Sequence, residues 1–187
     1  MFIKKHILTG LTFLGLLQAE TSVALNINNS DIEIIGEFNF NTESYTAGTS
    51  YAFNAGYLYI DEDTHLATIG ISGKNALQGV NGLYLEFGFK AAIADDFVAI
   101  PLTVKAIYDL PLIESMPTTS LVTSFAYAPS VLSFSDAEKY SEFRVGVSME
   151  AISNIHIFAG YRNVDTNYKT HDKSFNSSFY GGLKLSF

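Results

Sequence analysis

Few side chains in this chain could do chemistry. There is no cysteine, and beyond His6 the histidines are His65, His156 and His171. A hydrolytic relay needs a nucleophile, a base and an orienting acid within mutual reach. The best grouping for it is His156 with Ser148 and Glu150 on the preceding run. Serine and glutamate recur at equivalent positions along the chain, so the grouping reads better as part of a polar network than as a catalytic site. Asp61-Glu62-Asp63 could offer hard oxygen ligands to a divalent cation, yet it lacks the spacing of a dedicated calcium loop. That segment and Asp95-Asp96 read as solvated turns. No glycine-rich phosphate loop, zinc-ligand spacing or nucleotide fingerprint is present. The expectation is a non-enzymatic protein with no catalytic, metal or cofactor site.

The remaining charges inform through their spacing. Glu33 and Glu37, Glu86 and Lys90, Lys105, Glu142, Arg144 and Glu150, Arg162, and Lys184 fall in the runs 32–40, 83–93, 98–108, 142–151, 155–162 and 175–187. Within each run they occupy one parity only. The opposite parity is the more apolar and carries no charge; in 83–93 it holds Leu83, Leu85, Phe87, Phe89 and Ile93. A side-chain period of two belongs to an extended strand, whose residues alternate between two faces. Three further runs, 50–59, 66–72 and 120–127, alternate in the same way without charge.

A strand from a soluble sandwich also alternates. What distinguishes this chain is strictness. A Lys or Arg on a lipid-facing position near the midplane costs about 2–4 kcal/mol, so a lipid-facing parity must exclude charge. We therefore assign the apolar parity to lipid and the charged parity to a barrel interior. The interior set contains five acids and five bases. Unpaired ions in a narrow lumen are too costly. An ion-pair network of Glu37, Glu86, Lys90, Lys105, Glu142, Arg144, Glu150, Arg162 and Lys184, with Glu33 on the same face, is expected to fill it. Inward Gly56, Gly70, Gly88, Gly146, Gly160 and Gly182 leave room for the long side chains. Outward Tyr51, Tyr59, Tyr108, Tyr127 and Tyr161 are expected in interfacial girdles.

Composition agrees. Charged residues are 16% of the chain and hydrophobic ones 48%, against roughly a quarter charged in a soluble domain. The net charge of −8 argues against a nucleic-acid partner, which needs a basic surface. Residues 1–24 read as a secretory leader: Lys4 and Lys5, an apolar stretch over 7–17 too short to span a bilayer, then Ser22-Val23-Ala24 with small residues where a signal peptidase inspects them. Ala19 is the weaker alternative cleavage position. The barrel domain is then 25–187. No later segment resembles a membrane-spanning helix, since the longest uncharged run, 115–135, is interrupted by Pro117 and Pro129.

The last run closes the chain with Phe179, Gly181, Leu183, Leu185 and Phe187 on one face, and Phe175 and Ser177 are assigned to that face too. Phe179, Leu183, Leu185 and the terminal Phe187 resemble the closing-strand signal of bacterial outer-membrane barrels, which the insertion machinery reads. The nine runs together with a short segment at 25–28 give ten strands, and demoting one gives eight. Pro101 inside its run predicts a bulge or irregular pairing there, and 74–82, 128–139 and 165–173 read as loops.

Several stretches are similar to the YfaZ family of outer-membrane proteins. They are Ala55-Gly56-Tyr57-Leu58-Tyr59, Tyr127-Ala128-Pro129-Ser130-Val131-Leu132-Ser133-Phe134, Gly160-Tyr161-Arg162 and Tyr180-Gly181-Gly182-Leu183-Lys184-Leu185-Ser186-Phe187. The resemblance implies an outer-membrane location and no reaction, substrate or cofactor. The expectation is an all-β, transmembrane, antiparallel up-and-down barrel in the outer membrane of a Gram-negative bacterium. Its partners would be outer-membrane lipid, lipopolysaccharide and the assembly machinery. Its lumen would be plugged and its role that of a surface or structural protein. A narrow pore for small solutes is the first alternative, and a lipid-acting hydrolase using His156 the second.

Overall fold

A computed structural model describes residues 21–40, 48–60, 64–95, 97–113, 116–168 and 172–187. Its strands are β1 (Thr21–Ile27), β2 (Asp31–Phe40), β3 (Thr49–Ile60), β4 (Thr64–Ala76), β5 (Leu83–Ala94), β6 (Phe97–Ala99), β7 (Leu102–Asp109), β8 (Thr119–Ala128), β9 (Ser133–Ser135), β10 (Ala137–Ile152), β11 (Ile155–Tyr168) and β12 (Asp172–Ser186). The order β4-β3-β2-β1-β12-β11-β10-β8-β7-β5 closes on itself through a β4–β5 pairing, so ten antiparallel strands form a barrel. Closure leaves no edge, as a sheet in hydrocarbon requires.

Parity does what the sequence predicts. Ile34, Phe53, Ile69, Phe87, Leu102 and Val145 lie exposed on the outer surface, while Glu33, Ala52, Ser72, Ala92, Glu142 and Arg162 are buried inside. The first described residue, Thr21, and the last, Phe187, lie at one end of the barrel, here the terminal end, where β2, β4, β7 and β10 also finish. β1, β3, β5, β8 and β11 finish at the opposite, distal end. Tyr51 and Tyr108 sit toward the terminal end and Tyr59 and Tyr127 toward the distal end. Tyr161 is near the middle of β11, its hydroxyl 2.9 Å from that of Ser177.

Several strand limits differ from the sequence reading. β1 begins at Thr21 rather than at 25, β4 runs on to Ala76, and β11 and β12 reach into the expected loop at 165–173. The expected loop at 128–139 contains a 3-10 turn over Ser130–Leu132, then β9 and the start of β10. These extensions carry polar residues, which pattern reading takes for loop, yet they continue a wall whose backbone groups pair across strands.

Pro101 interrupts a strand but does not shift it against β5. Phe89 faces Leu102 on one side of the gap and Ala92 faces Ala99 on the other, in a single register. One bond, from the Lys90 amide to the Pro101 carbonyl, survives at 3.1 Å. The irregularity falls on the other flank. There β7 pairs with β8 and β6 with β9, and the segment between β8 and β9 loops out.

A second irregularity overturns an assignment. Between Val164 and Asp165 the β11–β12 ladder slips, Val164 facing Asn176 and Asp165 facing Ser174. The extra residue, Phe175, turns into the lumen and is 6% exposed, not lipid-facing as its parity implied. There it meets the Phe97 ring edge-on at 5.3 Å. Phe97, Tyr140, Leu58, Leu66, Val164 and Phe175, with four alanines, form a buried apolar cluster inside the barrel.

Candidate functional site: the barrel lumen

Local chemistry places the charged side chains. At the first distal turn the Asn28 side-chain oxygen accepts the amides of Ser30 (2.7 Å) and Asp31 (2.8 Å), the Asx turn that asparagine favours. This turn starts β2 at Asp31 and sets the parity that sends Asp31, Glu33 and Glu37 inward. Gly70 lets strands carry long side chains beside it, for a Cβ there would lie 2.7 Å from the Lys90 Cβ.

The deepest ions form a neutral set of three acids and three bases: Asp31, Glu33, Glu142, Lys90, Arg144 and Arg162. Arg162 donates to Asp31 (2.7 Å), Glu33 (2.5 Å) and the Asn176 oxygen (3.0 Å), and its guanidinium lies 5.5 Å from the Tyr180 ring centre. Arg144 grips both Glu33 oxygens, at 2.8 and 2.7 Å, and donates from Nε to Glu142 at 2.6 Å. Such a planar fork is what guanidinium supplies and ammonium does not. Lys90 and the Tyr140 hydroxyl both donate to Glu142 Oε2, each at 2.5 Å. Asn26 donates to Glu33 at 2.6 Å and Asn176 to Asp31 at 2.6 Å. With their lone pairs occupied, these carboxylates meet the condition under which buried ions are tolerable.

Toward the terminal end the pairs loosen. Lys105 meets Glu86 at 3.0 Å, and Ser72 donates to the other Glu86 oxygen at 2.6 Å. Lys184 stands 3.7 Å from Glu37. Side-chain exposure follows the same gradient: 35% for Lys184, 29% for Lys105, 17% for Arg144, 5% for Glu142 and 0% for Arg162 and Asp31. A cavity of about 450 Å³ occupies this wider part, with Ser148, His156, Lys184 and Ser186 near its mouth and Lys90, Glu142 and Arg144 deeper. Arg162, Asp31 and the apolar cluster do not line it. The lumen is therefore a cup, open toward the terminal end, floored by the six-ion set and backed by the apolar cluster.

The structure brings together all but one of the interior residues expected from sequence. Lys90, Glu142, Arg144 and Arg162 share the deep set, and Glu86, Lys105, Glu37 and Lys184 form the two outer pairs. Glu150 stands apart: its carboxylate accepts the Asn154 amide at 3.4 Å and so belongs to the β10–β11 turn. Asp31, which is not among the expected interior residues, is fully buried in the network as well. Tyr140, Asn26 and Asn176 complete the shell. Their inward parity was visible, but a neutral side chain gives no signal of its partner. Of the closing-strand residues, Phe179, Leu183, Leu185 and Phe187 all lie exposed on the outer face. Leu183 and Leu185 face Leu25 and Val23 of β1, and the Phe187 amide donates to the Thr21 carbonyl at 2.8 Å.

The hydrolase grouping does not assemble as a relay. Glu150 faces His156 across the β10–β11 ladder and Ser148 faces Phe158, while His156 Nδ1 is buried with no hydrogen-bond partner. His65 lies on the outer face against the rings of Tyr57 (5.9 Å) and Tyr59 (5.5 Å). Asp61, Glu62, Asp63, Asp96 and His171 lie outside the described residues. Among the described residues no group of three or more His, Asp or Glu side chains could hold a metal ion.

The family described as "YfaZ precursor" matches residues 3–187. No curated protein matches the chain. Among solved structures, the chain is similar to one described as "Bacterial polysaccharide outer membrane secretin" (9% identity, 90% of this chain and 68% of that one, TM-score 0.49). It is also similar to LpxR from Salmonella typhimurium (10% identity, 92% and 84%, TM-score 0.46). A third is the outer membrane channel DcaP of Acinetobacter baumannii (11% identity, 89% and 62%, TM-score 0.42). At these identities and scores the likeness extends to neither ligand nor activity.

Proposed function

The chain belongs to the YfaZ family, and we propose that it is a non-conducting, non-enzymatic outer-membrane barrel with a structural or surface role. The supporting observation is the blocked lumen. Two guanidinium groups and Lys90 are tied to Asp31, Glu33 and Glu142 in one continuous set, and six large apolar side chains fill the space beyond it. A hydrated ion crossing this region would have to break charge-assisted hydrogen bonds and then enter an apolar plug, both costly. The outer face is apolar along the strands up to their distal extensions, where β11 carries Asn163 and Asp165, and its apolar part is in contact with lipid. The distal turns would face the medium and lipopolysaccharide if the closing strand, as in other outer-membrane barrels, ends in the periplasm. The assembly machinery is then the partner that meets Phe187.

Planar-bilayer recording tests the blocked lumen. Purified, refolded protein is expected to give no steady unitary currents, and reproducible conductance steps would establish the pore alternative instead. The hydrolase alternative is met by incubation with outer-membrane lipid extract. Lipid turnover that disappears in His156→Ala would overturn the non-enzymatic reading.

A further inference from the structure

We infer that the leader is removed at the Ala19–Glu20 peptide bond and not at Ala24–Leu25. Water adds across that bond, leaving the Ala19 carboxylate on the leader and a free amine on Glu20, with a signal peptidase as catalyst. Sequence pattern alone prefers Ala24, because Ser22 and Ala24 place small residues at both inspected positions, whereas Leu17 precedes Ala19. The fold weighs the other way. β1 is the strand across which the barrel closes, pairing with β2 on one side and β12 on the other. Thr21, Ser22, Val23 and Ala24 face Phe38, Glu37, Gly36 and Ile35 of β2. Ser22, Val23 and Ala24 also face Ser186, Leu185 and Lys184 of β12.

Cleavage after Ala24 would leave only Leu25, Asn26 and Ile27 in this strand. The terminal half of the wall between β2 and β12 would be missing. Backbone groups of both neighbours would then lose their partners within the lipid-facing part of the sheet, where no water replaces them. Three consequences are specific. The Phe187 amide would lose its acceptor, the Thr21 carbonyl. The Lys184–Glu37 pair, which stands across this gap in the lumen, would be uncovered toward lipid. A new ammonium would appear at Leu25, whose side chain is on the outer face between Ile34 and Leu183, and a cation there is expensive. Cleavage after Ala19 retains all of β1, and its new ammonium lies beyond the strand's first residue.

The test is the mature N-terminus of the full chain expressed in a Gram-negative host and extracted from outer membrane, read by N-terminal sequencing and intact mass. A chain starting at Glu20 is the expected result. One starting at Leu25, or anywhere else within β1, would overturn the inference. Two variants separate the positions without depending on the fold. Ala19→Arg is expected to accumulate uncleaved precursor, and Ala24→Val to mature at Glu20 as the wild type does. Mature Ala19→Arg protein starting at Leu25 would also overturn it.

Discussion

The lumen contains ion pairs of two kinds, and single substitutions should separate them. Arg144 is bound to two carboxylates that have little access to water. Arg144→Ala leaves Glu33 and Glu142 short of their main partner, and removing one member of a buried ion set costs about 3–5 kcal/mol. Lys184 is a third exposed and stands 3.7 Å from Glu37, so Lys184→Ala should cost no more than about 1 kcal/mol. Urea unfolding midpoints in detergent, followed by tyrosine fluorescence, check both; equal shifts for the two variants would contradict the depth gradient. At this scale the sequence was legible through charge. Every inward Lys and Arg of the expected network was identifiable, because a charge on one parity of an alternating run has few places to go. Asp31 escapes the expected set and Glu150 is wrongly included in it for one shared reason. Each sits at a strand end, where a side chain joins either the lumen or the turn, and the choice depends on strand tilt and neighbours rather than on parity.

Among the elements, the seam between β1 and β12 is the most sensitive. Gly182 faces Asn26 there. A Cβ at Gly182 would collide with the Leu25 carbonyl and lie 2.6 Å from the Phe158 ring, whereas one at Gly181 would find its nearest neighbour at 3.7 Å. Gly182→Ala should therefore reduce the folded fraction several-fold while Gly181→Ala stays close to wild type, read as the heat-modifiable band on an unboiled gel. Phe187 makes a second comparison. Its ring lies on the outer face and its amide closes the seam, so deleting Phe187 should lower assembled protein in the outer membrane more than Lys184→Ala does. Equal assembly would remove Phe187 from the insertion signal. Strand positions were largely readable from period two. The bulge at Phe175 was not, because an inserted residue switches the face of its neighbours along the strand without altering composition. β9 was hidden too, since its three residues are too few to establish a period.

Taken as a whole, the molecule has an outside that its sequence displays and an inside that its sequence half conceals. The ten-stranded closure follows from alternation, absence of charge on one parity and the need to leave no edge in lipid. The apolar plug does not. Leu58, Leu66, Tyr140 and Val164 occupy the charged parity near distal strand ends, and only closure brings them against Phe97 and the bulged Phe175. The plug makes the barrel a cup rather than a tube. The most direct measurement uses the absence of native cysteine to place one thiol at each depth of the folded protein. Ser148→Cys at the mouth of the cavity should react rapidly with a charged methanethiosulfonate reagent, and Val164→Cys in the plug, where the native side chain is 0% exposed, should react only after unfolding. Comparable labelling of Val164→Cys and Ser148→Cys in the folded barrel would contradict a lumen sealed at its distal end.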